Sequence, residues 1–397
     1  MLTPLALALL PSQVWIVDDS GGPGVDFTDL PPAIAAASAG DVLIVRAGSY
    51  SEAVVGQGIT IQADEGALAD AAGLRIESVP AGESVHIAGL TVPSIAWLSD
   101  CDGKVWIEDC SFTPPGEVVG EAEAAVTIHD CADVVLVDTT GIGSSLGLMP
   151  SLQARTSPGL AITQSSVHTF GCSFEGGRGT WIESVFGAIN AQPSPGAAHE
   201  SGELIALASL FTGGQGHASQ DPSTLFCERA PGAAGVTALA PLYVRDSSLV
   251  GGHGGVGGLF STCPEGEQGP PFSGDAPVEL AGEYVALEVA SPVIENGTFD
   301  LTVSGTPGVL AVVGITTAQD AILVPAWGGS LVLQGSPVVL SPVVIPPAGT
   351  LTQTLPLSDL GPGVETLSFY GQVAAVDPVG AFTINDATAI VLLDEQF

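Results

Sequence analysis

Residues 98–112 read LSDCDGKVWIEDCSF, and the pattern returns at 128–141 as IHDCADVVLVDTTG and at 163–174 as TQSSVHTFGCSF. In each copy β-branched and small polar residues alternate on either side of a tight bend, so each copy reads as two short strands. A second register follows as Phe174-Glu-Gly-Gly-Arg178-Gly, Phe211-Thr-Gly-Gly-Gln215-Gly and Leu249-Val-Gly-Gly-His253-Gly, at offsets of 37 and 38 residues. Units of this size cannot bury an apolar face alone and become stable only by stacking on copies of themselves. The repeat therefore predicts a parallel β-solenoid. Offsets this long exceed a lean coil, so the extra residues are expected to leave as loops, such as 191–201 and 216–240, where function would sit.

The remaining arithmetic agrees with a folded, all-β chain. Of 397 residues, 46% are hydrophobic and 13% charged, enough to bury a large core. Seven basic residues against 43 acidic ones give a net charge of −36, which closes the counterion-release route to nucleic acid and disfavours anionic membranes. No Lys or Arg follows Arg245. The apolar run at 2–10, followed by Pro11, Ser12 and Gln13, fits the core and cleavage zone of a signal peptide and is too short to span a bilayer. Its competing reading is a strand leading into Val14. Residues 1–13 are accordingly read as a signal-peptide remnant and the protein as secreted or surface-exposed, without membrane insertion. In 28–38, Thr28 or Asp29 can cap a short helix with two prolines in its first turn, a plug for the open end of the first coil.

This entry resembles a known one. Asp26-Phe-Thr-Asp-Leu-Pro-Pro-Ala-Ile-Ala-Ala-Ala, Gly40-Asp-Val-Leu-Ile-Val-Arg-Ala-Gly-Ser-Tyr50-Ser-Glu and Ile59-Thr-Ile-Gln-Ala are similar to the opening of the pectin-lyase-like superfamily. The resemblance implies a right-handed parallel β-helix with an N-terminal capping helix over 14–273. It implies no particular activity, because that fold carries lyases, hydrolases, esterases and non-catalytic surface proteins. From about residue 275 longer alternating strands broken by Pro and Gly, such as Thr298-Phe-Asp-Leu-Thr-Val-Ser-Gly, predict an antiparallel β-sandwich over 274–397. It resembles the C-terminal sandwich modules of large secreted bacterial proteins. The stretch from Cys263 to Gly274 reads as the linker between the two.

The chemistry is sparse. Gly252-His253-Gly254 resembles the Gly-His-Gly element of polygalacturonases, but the paired carboxylates and the later Arg-Ile-Lys element of those enzymes are missing. A lyase-like site needs a base beside acidic Ca²⁺ ligands; Arg155, Arg178, Arg229 and Arg245 are available, with no acidic cluster beside them in sequence. Asp246 reads instead as a coil-bend residue equivalent to Asp109 and Asp138. Pectin-methylesterase elements, zinc spacings and a Ser-nucleophile motif are absent from the sequence. Asp18, Asp19 and Asp26 flank a Gly turn that could wrap Ca²⁺, the competing reading being a polar loop; no other cofactor is expected.

Four cysteines follow the repeat. Cys101 and Cys131 share an Asp-Cys position one coil apart and should stack, as thiols or as a disulfide, whereas Cys110 and Cys172 lie two coils apart with Thr139 between them, too far to bridge. Cys227 and Cys263, 36 residues apart in similar loops, are expected to form a disulfide. Arg178, Gln215 and His253 fill one position of three successive GGxG bends and should form a polar column for a glycan, with Trp181 as a stacking face. The competing reading is an unconstrained, exposed turn position. The sequence thus favours a monomeric, non-catalytic structural or glycan- and partner-binding protein. The alternative is a divergent carbohydrate-active enzyme, a polysaccharide lyase or glycoside hydrolase.

Overall fold

The computed structural model describes residues 12–114, 117–119, 123–148, 154–184, 187–220, 227–255 and 265–397, with the backbone alone for 117–119, 146–148, 154–155, 180–184, 187–190, 218–220 and 227–229. The chain forms a three-faced parallel solenoid followed by a mixed, sandwich-like unit. Val14–Val17, Val42–Val45, Thr60–Ala63 and Ser84–Ala88 open the first face, and the second halves of Ala96–Glu108 and Val126–Val137 continue it. Ser165–Phe170, Gly202–Leu207, Leu242–Arg245 and Val278–Glu279 complete it. Eight strands from Gly48–Tyr50 to Ser248–Val250 make the second face, and a series from Ala53–Val55 to Phe272–Gly274 makes the third. Every wall pairing is parallel, because each coil lays its strand beside the equivalent strand of the previous coil. Ile61, Ile87, Ile107 and Leu136 stack inward in register and are fully buried. A one-residue slip would turn this whole column outward, so the apolar pattern pins the register.

The repeated dipeptides are the corners. Asp109, Asp138, Ala208 and Asp246 take positive φ of 44–53°, with Gly89 and Gly171 at the equivalent points. Asp tolerates this left-handed conformation better than bulkier residues. The next residue turns its donor onto the carbonyl two positions back: Cys110 on Glu108, Thr139 on Val137, Cys172 on Phe170, Ser209 on Leu207 and Ser247 on Arg245, at 2.9–3.4 Å. Cys101, Cys131 and Ser165 do the same at the other corner, after positive-φ Asp100, Asp130 and Gln164. The first-face corner carbonyls already accept a backbone N–H from the preceding coil, such as Asp109 N–H on Val137 O at 3.0 Å, so the side chain places its own buried donor on the second lone pair, which a small donor at this position can reach. Cys101 and Cys131 pair across adjacent strands, Thr139 separates Cys110 from Cys172, and all four are buried free thiols.

The helix Leu30–Ala36 plugs the first coil. Asp29, and not Thr28, caps it through Leu30 N–H at 2.9 Å and also holds Ser51, while Leu30, Ala33 and Ile34 face the core. The run 1–11 lies outside the described residues; Gln13 already accepts a bond from Val42 N–H at 2.9 Å. Among the described residues no helix is long and apolar enough to cross a membrane.

Two expectations change in the C-terminal third. The solenoid does not stop at 273: Phe272–Gly274 and Val278–Glu279 add a last partial coil. Within the stretch read as a linker, Gly266 and Gly269 are packed against backbone, a Cβ on them lying 2.7 Å from Ala230 O and 2.0 Å from Ala233 O. The sandwich is also not purely antiparallel, because Val293–Ile294 runs parallel to Phe382–Leu393. Its two main sheets are Ala286–Val289, Thr298–Ser304 and Thr350–Pro356 against a sheet centred on Leu310–Thr316, Thr366–Val376 and Phe382–Leu393. Leu301, Val303, Val313, Val373 and Ile390 form its core.

This unit is not a tethered appendage. It covers the outer side of the first face, where Trp106, Val135, Phe170, Ile205 and Leu207 pack against Val332, Tyr370, Ala387 and Ala389. First-face strands such as Val42–Val45 and Thr60–Ala63 are therefore buried on both sides, and their alternation of apolar and polar residues disappears.

Candidate functional site

The residues that lengthen the repeat all leave at one corner. Early coils pass from second to third face almost directly, as from Gly48–Tyr50 to Ala53–Val55, whereas later coils insert hairpins such as Thr180–Ser184 with Gly187–Ala191 and Ala218–Gln220 with Cys227–Arg229. The excursions span 176–196 and 213–235, not 191–201 and 216–240; Ala197–His199 and Val236–Ala238, inside those expected ranges, belong to the third face. A parallel wall needs every coil to return to register, so insertion is tolerated only between strands.

Outgoing and returning legs of these loops interleave into one hydrogen-bonded stack. Ser157 N–H donates to Ser144 O, and in turn Gly177 to Ser157, Ser194 to Gly177, Gly214 to Ser194, Ala233 to Gly214, Gly252 to Ala233 and Gly269 to Gly252, at 2.8–3.1 Å. Legs bonded this way approach backbone to backbone. A Cβ on Gly177 would lie 1.9 Å from Ser144 O, and one on Gly252 2.1 Å from Gly214 O. The glycines of GGxG are thus buried packing residues, and only the x position can carry a side chain outward.

Those x positions are in register. Gly179 N–H donates to Gln215 O and Gly216 N–H to His253 O, both at 2.8 Å, which places Arg178, Gln215 and His253 on three successive outgoing legs. Arg178 and His253 are exposed and Gln215 half-buried. Arg178 reaches Glu175 at 3.9 Å, and its N–H donates to Ser145 Oγ at 3.3 Å. Trp181 lies on the neighbouring hairpin strand opposite Asn190, its side chain outside the described residues. The stack can present donors to hydroxyls or a carboxylate along one edge.

The other candidates disperse. Asp18 holds Ser20 and Arg46, Asp19 accepts from Ser49 N–H at 2.8 Å, and Asp26 accepts from Ile16 N–H at 2.9 Å. Three carboxylates committed to separate partners do not make a Ca²⁺ site, and among the described residues no cluster of three metal-ligating side chains occurs. Cys263 and the Cys227 side chain lie outside the described residues. Arg245, one of the bases available to a lyase, is buried in the seam between the units. Its Nη1 donates to Gly328 O and its Nη2 to Ile384 O and Asn385 Oδ1, at 2.9 and 2.8 Å for the last two. Burial lowers its pKa to about 10, so it stays charged at neutral pH.

Sequence reasoning missed this seam, although its signal was present: Trp106, Val135, Val137, Phe170, Ile205 and Leu207 occupy outward positions where a one-sided wall would carry polar residues. Titratable groups sit among them. Glu108 accepts from Trp106 Nε1, Thr388 Oγ1 and Ala389 N–H at 2.6–2.8 Å, and Asp386 accepts from Leu287 and Ala387 N–H at 2.9 Å. Burial pushes both carboxyls up to about 7 and that of Asp133 up to about 6. It pushes the His86 and His168 imidazoles down to about 4.

The two effects oppose one another. As pH rises from about 4.5 to 7 the unfolded chain releases the Glu108 proton before the folded chain does, so the carboxyls cost stability over that window. The histidines act the other way between about 4 and 6.5, where the unfolded chain holds the protons. Gln at 108 keeps the size and removes the titration. In denaturant melts, Glu108→Gln is therefore expected to gain on the parent progressively from pH 4.5 to 7.5; a difference that does not vary with pH would refute the assignment.

No protein-family model and no curated protein matches the chain.

Proposed function

We propose that the chain is a secreted or cell-surface, right-handed parallel β-helix protein of the pectin-lyase-like kind, acting without catalysis as a monomeric glycan or partner binder. The observation that carries this reading is the loop stack, in which Arg178, Gln215 and His253 stand in register on a rigid, glycine-packed base. Backbone locked on both sides cannot yield to a ligand, so the column would be preorganised and little ordering entropy would be lost on binding. The remainder of the solenoid serves as a spacer that holds this edge, and the sandwich closes the face opposite to such use.

A polysaccharide array scored for both binding and product release tests the reading. The parent is expected to retain a glycan and release no product. The Arg178→Ala/His253→Ala double variant is expected to lose about tenfold or more in affinity, on the scale of one lost polar contact, at an unchanged melting temperature. Binding equal to the parent would reduce the column to a duplicated turn motif. Product release would favour the divergent carbohydrate-active enzyme instead.

A further inference from the structure

Beside the apolar seam the two units diverge. The solenoid-facing side of strand Thr366–Val376 stands across from the start of the first-face strands in the first three coils, and between them opens a cleft of about 610 Å³. The opening has a cause in the sequence. Gly40, Gly58 and Gly82 supply the solenoid wall there and carry no side chains to fill the gap, while Pro362 and Gly363 line it from the sandwich loop. The volume falls within the roughly 300–1,000 Å³ of small-molecule sites, which concentrate where two units meet.

The lining is unusual for a chain of net charge −36. Six hydroxyl-bearing residues line the cleft, Ser12, Thr60, Ser84, Thr366, Ser368 and Tyr370; Ser12 Oγ donates to Thr366 O at 3.2 Å and Thr366 Oγ1 to Leu392 O at 3.0 Å, which leaves both oxygens as acceptors. Among the described residues Glu83 is the single carboxylate of the lining, and no Lys, Arg or His lines the cleft. These groups are also held in place. Glu83 Oε2 accepts from Gly58 N–H at 2.6 Å, and Gly40 N–H donates to Gly58 O at 2.7 Å. Ser84 Oγ accepts from Gln319 Nε2 at 2.8 Å, and the Tyr370 ring packs on Trp106 with centroids 5.2 Å apart.

Charge selects the ligand class. A carboxylate or phosphate would find no cation to pair with and would meet the field of an acidic protein. A metal ion would find one carboxylate already accepting a hydrogen bond, short of the six to eight oxygens that Ca²⁺ takes. A neutral polyol can exchange hydrogen bonds with side-chain hydroxyl oxygens and with the Glu83 carboxylate. We propose that this interdomain cleft binds a neutral saccharide of about two rings. The site is separate from the loop stack and does not rest on it.

Methyl spectra of the full chain, titrated with cellobiose, maltose and digalacturonate, test the assignment. At least one neutral disaccharide is expected to shift the Thr60 and Thr366 methyl signals with a Kd of about 1 mM or tighter, and digalacturonate to leave them unmoved. Ser368→Trp, which fills the cleft, is expected to weaken that binding at least tenfold, whereas Arg178→Ala/His253→Ala leaves it unchanged. The proposal is overturned if neither neutral sugar shifts these methyls at tens of millimolar, if digalacturonate shifts them equally, or if folded Ser368→Trp binds like the parent. Should Ser368→Trp not fold, the parent's methyl shifts decide alone: shifts confined to residues of the cleft support the site, and shifts elsewhere overturn it.

Discussion

Gly214→Val is expected to destabilise the protein by more than about 3 kcal/mol, in the severe tail of single substitutions. Gly214 donates to Ser194 O at 2.8 Å and accepts from Ala233 N–H at 3.0 Å, so it is tied into the leg stack on both sides. A Cβ there would lie 2.0 Å from Gly177 O and 2.7 Å from Gly177 C. Overpacking in ordinary cores costs about 1–3 kcal/mol because side chains can shift. Here the obstacle is backbone belonging to the preceding coil, and moving it breaks the Gly177–Ser157 and Ser194–Gly177 bonds as well. Gly22→Ala is the control. That glycine has positive φ but nothing within 4 Å of its would-be Cβ, so it should cost about 1–3 kcal/mol of backbone strain and no clash. Thermal melts, together with limited proteolysis of the hairpins, read the contrast. Equal melting points for the two variants would show that the stack is looser than its geometry requires.

Arg245→Ala has the second large effect expected, and it should strike the seam and not the solenoid. Arg245 is 1% exposed, and its guanidinium serves two backbone carbonyls and the Asn385 amide oxygen of the sandwich. Deleting it removes the guanidinium donors from the buried Gly328 and Ile384 carbonyls, at about 1–3 kcal/mol each before relaxation, leaves Asn385 Oδ1 with Val285 N–H alone, and opens a cavity against Tyr284. A loss of about 3–5 kcal/mol is expected, with amide exchange accelerated first in Phe382–Leu393, next to the vacated site. Arg46 supplies the comparison. Its pair with Asp18 at 3.3 Å is 44% exposed on the Arg side, so Arg46→Ala should change stability by less than about 1 kcal/mol. If Arg245→Ala costs no more than Arg46→Ala, or if exchange rises first in the solenoid walls, the guanidinium does not hold the two units together.

Both effects concern residues whose types were legible in the sequence and whose roles were not. The GGxG elements announced a repeated turn, and the turn is there, but glycine at a turn is ordinarily explained by backbone conformation. At Gly177, Gly214 and Gly252 the φ values are ordinary, and the requirement is the space between legs from neighbouring coils. Arg245 stood in the sequence as the last basic residue of the chain and a possible catalytic base; the structure spends it on carbonyls. The equivalence of positions 178, 215 and 253 was legible because it follows from the period. The interdomain cleft was not, because no motif marks it; it exists where small residues from three coils happen to face one sandwich strand.

What the sequence determined by itself is the part of the molecule that repeats. In a solenoid each coil touches only its neighbours, so the same residue types recur wherever the same local problem recurs: an acidic or small residue at the left-handed corner, a small donor after it, an apolar side chain inward. The capping helix is local for the same reason, its Asp29 lying next to the turn it caps. Only the tertiary structure decided that the sandwich lies against the first face and which side chains join the two. Those contacts link residues far apart in the chain, Arg245 to Asn385 across 140 positions and Glu108 to Ala389 across 281. Complementarity over such distances has no period and leaves no pattern along the chain, because it is satisfied once, by the shape of two surfaces that exist only after each unit has folded.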